Sequence, residues 1–214
     1  MEAKRIITIG RQLGSGGGSI GRIIAKELGI GFYDKELINL ASKTSGLCKE
    51  VFEKHDEKPV NSFFYSLTMD ARSSSGTFSG GYVGVPLDQK VFLAQFETIQ
   101  KLAEKESCVI VGRCADYALE KHENLVTVFI HADMQDRVDR ISMQHEITKD
   151  AALELIAKTD KKRANYYNYY SNKKWGNAST YDLCLNSSKL GIEGTAEAIL
   201  NYLRLRDVAS SEDK

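Results

Sequence analysis

The chain has 214 residues, 42% hydrophobic and 27% charged, a balance that suits one domain with an ordinary core. Its 29 basic and 29 acidic residues cancel, so overall charge argues against a nucleic-acid or membrane partner, and any anion site must be local. Four scattered cysteines without a CxxC pair exclude a readable metal cluster or disulfide framework. With no signal-like N-terminal segment and no apolar run of spanning length, the expected location is cytoplasmic.

Arg5 to Ile9 (RIITI) predicts a short buried strand, followed by a glycine-rich loop and a helix with Ile20, Ile23, Ile24 and Leu28 on one face. Gly29 suits the end of that helix. Ile30 to Tyr33 predicts a second strand, and Asp34 a cap for a helix carrying Leu37, Ile38 and Ala41. Residues 46–86 break the rhythm, and the run Ser73 to Val85 reads either as a linker or as a loop that orders over substrate. A helix with Phe92, Phe96, Ile99 and Leu102 follows Pro86. Next come the strand Cys108 to Val111, a short helix, and the strand Val126 to His131. Asp133 and Thr148 are expected to cap two further helices, Leu183 to Leu185 to form the last strand, and Thr195 to Leu205 a closing helix. Five strands alternating with helices predict an α/β fold with a doubly wound parallel sheet.

The loop reads Gly10-Arg11-Gln12-Leu13-Gly14-Ser15-Gly16-Gly17-Gly18-Ser19-Ile20-Gly21. Glycines let successive backbone N–H groups turn toward one anion, and a helix N-terminus behind them adds partial positive charge. Phosphate binding is therefore the expected role. A strict GxxxxGK[ST] match is absent because no lysine stands in the loop. Residues 16–21 match GxGxxG, and Asp34 stands at a plausible distance for a ribose contact, so a dinucleotide fold is an alternative.

Several segments in order resemble the cytidylate kinase-like family: ITIGRQLGSGGGSIGRIIAKELG, GFYDKELI, VIVGRCADYAL, DKKRANYY and YDLCLNSS. They extend from residue 6 to about residue 190. The resemblance implies a three-layer P-loop NTPase-like fold in a single domain over 1–214. A substrate-side insertion at 46–86 and a helical basic lid at about 146–175 go with it. It implies ATP and Mg²⁺ as cofactors, with Gly14, Ser15, Gly16, Gly17, Gly18 and Ser19 around the phosphates and Ser19 as a hydroxyl ligand to the metal. Arg113 would hold the acceptor monophosphate, Asp34 would stand on the substrate side, and Arg163 would be the lid arginine. Where the family places its loop lysine this chain has Gly17 or Gly18, and Arg11 is the nearest cation to replace it.

Other residues carry weaker readings. Arg113 could instead pair with Asp116. Arg137 and Arg140 suggest a phosphate clamp, yet Asp133 with Arg137 and Asp136 with Arg140 are i,i+4 pairs of the kind found on a solvated face. Lys158, Lys161 and Lys162 precede Arg163 in a basic cluster that suits either a lid or plain surface. Tyr166, Tyr167, Tyr169 and Tyr170 are expected in the core, and Cys114 as a packed thiol. The expected activity is ATP-dependent phosphoryl transfer to CMP, dCMP or a similar acceptor, with small-molecule nucleotides as the only expected partners. A nucleotide-binding sensor without turnover is the second reading.

Overall fold

Ile6, Ile7 and Ile9 are almost completely buried, and their strand β1 (Ile6–Arg11) is the centre of the sheet. The computed structural model describes residues 4–45, 48–57 and 86–212. Its sheet has five parallel strands in the order β2-β3-β1-β4-β5. The others are β2 (Gly31–Tyr33), β3 (Cys108–Val111), β4 (Leu125–His131) and β5 (Leu183–Asn186). β1 lies between β3 and β4, with Ile7 opposite Val109 on one side and Val126 on the other. Strands buried on both faces read as unbroken apolar runs, which is why CVIV and VTVFIH stood out in the sequence.

Helices α1 (Gly17–Leu28) and α8 (Ser187–Glu212) cover one face, where Ile20, Ile24, Ile199 and Leu203 meet Ile7, Val109 and Val128. Helices α2 (Glu36–Ser45), α4 (Leu87–Lys105) and α5 (Ala115–Ala118) cover the other, where Leu37, Ile99 and Ala115 meet Ile6 and Ile110. Beyond the sheet, α6 (Met134–His145) and α7 (Lys149–Ser171) pack on each other through Val138, Ile141, Ala152 and Ile156. Tyr166 and Tyr167 of α7 join Phe92, Phe129 and Tyr181 in an aromatic cluster, and Tyr170 stacks on Phe92 with ring centres 3.8 Å apart. These tyrosines serve the core, as expected, whereas Tyr169 is exposed.

The strand order 2-3-1-4-5 departs from the 3-2-1-4-5-6 order of dinucleotide-binding sheets, which removes the fold argument for that alternative. β1 runs two residues further than expected, so Arg11 belongs to a strand end and not to the loop. The last helix also starts earlier than Thr195, with a break at Gly191 (φ 67°) where the chain leaves helical geometry. Within 46–86 the structure places a helix that the sequence rhythm hid, α3 (Lys49–His55). Phe52, fully buried against Ile38, Ala41 and Val91, fixes it to α2 and α4. Ser73 to Val85 lies outside the described residues. Thr148 caps α7 as predicted, accepting from the Ala151 N–H at 3.2 Å. Asp133 does not cap α6 through its side chain, because its carboxylate accepts from Asn186 and Lys189.

Candidate functional site

The carboxyl ends of three adjacent strands, β2, β3 and β1, carry Asp34, Arg113 and Arg11. Ligands of open α/β sheets bind at this edge. Arg113 is 4% exposed. Its Nη1 donates to Asp34 Oδ1 at 2.8 Å and to the Val111 carbonyl at 3.0 Å. Its Nε and Nη2 donate to the two carboxylate oxygens of Asp56 at 3.2 and 3.0 Å. Two expectations are corrected here. Asp34 spends its carboxylate on Arg113 and not on a helix cap. Asp116 is not the partner of Arg113, because it accepts from the Tyr167 hydroxyl at 2.5 Å in the aromatic cluster. Burial raises the pKa of the Asp116 carboxyl, against the pull of that hydrogen bond.

Arg11 donates through Nη1 to Glu57 Oε1 at 2.7 Å and lies 3.8 Å from Asp34. Arg163, from the middle of α7, donates through Nε to the other Glu57 oxygen at 3.1 Å and through Nη1 to the Arg11 carbonyl at 3.2 Å. One carboxylate thus joins two guanidiniums that would otherwise repel. Two glycines make the approach possible. A Cβ on Gly112 would lie 2.1 Å from Arg11 Nη1, and a Cβ on Gly17 would lie 2.6 Å from Arg11 Cβ. The stem of Arg11 therefore fills the space in which a side chain at position 17 would begin.

The charges settle each other. Burial alone would raise the Glu57 carboxyl pKa, but Arg11, Arg163 and Arg113 together bring it far below the usual range. Burial would lower the Arg113 pKa, and Asp56, Glu57 and Asp34 overcome this and raise it. For Arg163, burial and then the like charge of Arg11 prevail over Glu57, and its pKa falls. Cys114 has its pKa raised well above normal, first by burial and then by Asp116 and Glu57, which makes it a packed thiol and not a nucleophile.

The glycine-rich loop lies beside this cluster. Gly16 turns with φ 81° into the first turn of α1. Among the described residues no protein group accepts from the N–H groups of Gly16, Gly17, Gly18 or Ser19. Four donors at the positive end of a helix are an anion cradle. Ser15 contributes no side chain to it, because its buried hydroxyl donates to the Gln12 carbonyl at 2.9 Å. Ser19 is exposed at the loop's end.

Arg137 and Arg140 hold the loop by its carbonyls. Arg137, 3% exposed, donates from Nε to the Leu13 carbonyl at 2.8 Å and from Nη2 to Asp160. Asp160 in turn accepts from the Leu13 N–H at 2.8 Å. Arg140 donates to the Gly14 carbonyl. The solvated face drawn from the i,i+4 pairs is overturned for Arg137, since its partner comes from α7 and not from its own helix. Neither is it a phosphate clamp in this arrangement, because its fork is committed to the protein. Arg137→Met would strand the Asp160 carboxylate. A loss of about 3–5 kcal/mol is expected in urea unfolding, while Arg140→Met at the more open position should cost less. A cost below about 1 kcal/mol for Arg137→Met would mean the pair is not structural.

Loop and cluster line a single cleft of about 690 Å³, which includes Gly14, Gly16, Gly17, Gly18, Ser19, Asp34, Arg11, Arg113 and Arg163. Every predicted site residue except Ser15 lines it. Of the basic cluster on α7 only Arg163 does so, and Lys158 and Lys161 are exposed elsewhere. Asp56, Glu57 and Asp160 were missed. The adjacent acids of HDEK, at the end of a short charged stretch, were the available signal for the first two. No helix among the described residues is long and apolar enough to cross a membrane.

A model of the cytidylate kinase-like family matches residues 6–189. The chain is 25% identical over 196 residues to a cytidylate kinase of Methanocaldococcus jannaschii, covering 88% of this chain and 92% of that protein. A crystal structure of an uncharacterized protein from Eubacterium ventriosum superposes with a TM-score of 0.69 at 29% identity, covering 94% of this chain and 99% of that one. A shikimate kinase from Bacteroides thetaiotaomicron shares the fold, with a TM-score of 0.53 at 16% identity over 94% of this chain and 98% of the other.

Proposed function

The chain belongs to the cytidylate kinase-like family, and from that premise we propose that it transfers the γ-phosphoryl group of ATP to a nucleoside monophosphate, CMP or dCMP. The observation that carries the reading is the meeting of three guanidiniums, from β1, the β3 end and α7, beside four unengaged loop N–H groups. Phosphoryl transfer needs little covalent chemistry from the protein and depends on positioning and on compensating charge.

In this proposal the N–H groups of Gly16 to Ser19 hold the ATP phosphates, and Gly14 gives the loop its turn. Arg113 and Asp34 face the acceptor, whose phosphate oxygen attacks the γ-phosphorus as the β–γ bridging oxygen leaves with ADP. Arg11 and Arg163 offset the charge that develops on the transferring group. Mg²⁺, for which the Ser19 hydroxyl is the proposed protein ligand, would supply further neutralisation of the phosphate charge. The residues fit these groups: donors converge, and the glycines leave room for close approach.

Isothermal titration with ATP–Mg²⁺ and then CMP, with ADP release followed on the same sample, tests the reading. Binding of both and ADP release dependent on CMP are expected. Gly17 or Gly18 at the lysine position favours a second reading, a nucleotide sensor without turnover, for which binding would occur without CMP-dependent release.

A further inference from the structure

We propose that Asp56 and Glu57 are an internal anion that occupies the phosphate positions of the arginine cluster and leaves when a phosphate group enters. The inference rests on this cluster being the phosphate site of the proposed reaction.

Three guanidiniums, Arg11, Arg113 and Arg163, face three carboxylates, Asp34, Asp56 and Glu57. The cluster as it stands is neutral and offers an incoming anion no net attraction. Its donors are also occupied. Arg113 uses one N–H at Nε, two at Nη1 and one at Nη2, which is four of the five that a guanidinium owns. A phosphate oxygen can therefore meet Arg113 in force only where a carboxylate oxygen now sits. The contact with Asp56 is a parallel two-bond fork, the geometry in which arginine also takes phosphate. Glu57 likewise presents one oxygen to Arg11 and the other to Arg163, as two oxygens of one phosphate group would.

The carboxylates differ in how they are anchored. Asp34 follows directly on β2, which is hydrogen-bonded into the sheet. Asp56 and Glu57 follow the seven-residue helix α3, and Glu57 has φ 50°, a left-handed backbone that a glutamate adopts at a cost. Their two negative charges equal those of one phosphate dianion, so the exchange leaves the cluster neutral while relieving that strained residue. Removing the carboxylates without an incoming anion would leave buried like charges. The pair thus both preserves the arginines' arrangement and sets the threshold a ligand must overcome.

Pyrophosphate is the probe, because it tests the cluster without any nucleotide. The Asp56→Asn/Glu57→Gln double variant should bind pyrophosphate at least about tenfold more tightly than the wild type in isothermal titration. In the wild type, saturating pyrophosphate should raise amide hydrogen exchange over 49–57 and lower it over 14–19. Unchanged or weaker pyrophosphate binding by a folded double variant would overturn the proposal and make the carboxylates mere supports. So would slower exchange over 49–57 in the wild type. A thermal melt shows whether the variant folds; if it does not, the wild-type exchange experiment decides alone. Pyrophosphate results as expected, together with no ADP formation from ATP and CMP, would sink the kinase reading and leave this exchange standing.

Discussion

Gly17→Lys, the change that would write a loop lysine into this sequence, is expected to lower kcat/KM by about a hundredfold or more instead of improving it. A Cβ at position 17 would lie 2.6 Å from Arg11 Cβ and 3.1 Å from Arg11 Cγ, so the new side chain would push Arg11 off Glu57. In the proposed reaction the cation enters from the end of β1 and not from the first turn of α1, and the two routes exclude each other. Arg11→Gly, which removes the cation without a clash, should lower kcat by about 10²–10³-fold, the usual effect of losing one preorganised donor to a developing charge. The Arg11→Gly/Gly17→Lys combination should recover part of the loss of Gly17→Lys, because it clears the contact and supplies a charge by the other route. Steady-state kinetics with ATP and CMP on the four proteins form a double-mutant cycle. A rise in kcat for Gly17→Lys alone would show that Arg11 is not the replacement.

Arg113→Ala should abolish measurable CMP binding, a loss of about a hundredfold or more, while ATP binding survives. The guanidinium is fixed after the β3 end by the Val111 carbonyl and Asp34, which leaves its fork turned to Asp56, the position the proposal gives to the acceptor phosphate. Arg113→Lys should not rescue, because an ammonium cannot offer two parallel N–H groups. The substitution also strands Asp56 and costs stability, so circular dichroism and ATP titration on the same sample establish that the protein is folded. CMP affinity unchanged by Arg113→Ala would remove the role assigned to it.

The strands and the loop were legible because their signals are local. Four glycines in five positions after RIITI need no partner to be recognised, and CVIV and VTVFIH are apolar because both sheet faces are covered. The partners of the arginines were not legible. The i,i+4 rule offered Asp133 to Arg137, yet the acid it uses is Asp160, on a helix that packs against its own. Asp116, three residues on, was the alternative partner for Arg113, but α5 turns it toward Tyr167. The sheet order explains the actual choice. β2 follows β1 in sequence but pairs with β3 in space, which brings Asp34 to Arg113 across 79 positions. α3 escaped because seven residues with a single fully buried Phe52 carry too short a period to read. Asp56 and Glu57 escaped with it.

Phosphorus NMR of the wild type with ATP, Mg²⁺ and CMP tests the central claim most directly, since it follows the transferred group itself. The account predicts that the γ-phosphate signal of ATP is replaced by the β-phosphate signal of CDP, in step with ADP and without free phosphate. ATP and CMP persisting unchanged, or ADP appearing with inorganic phosphate and no CDP, would contradict it.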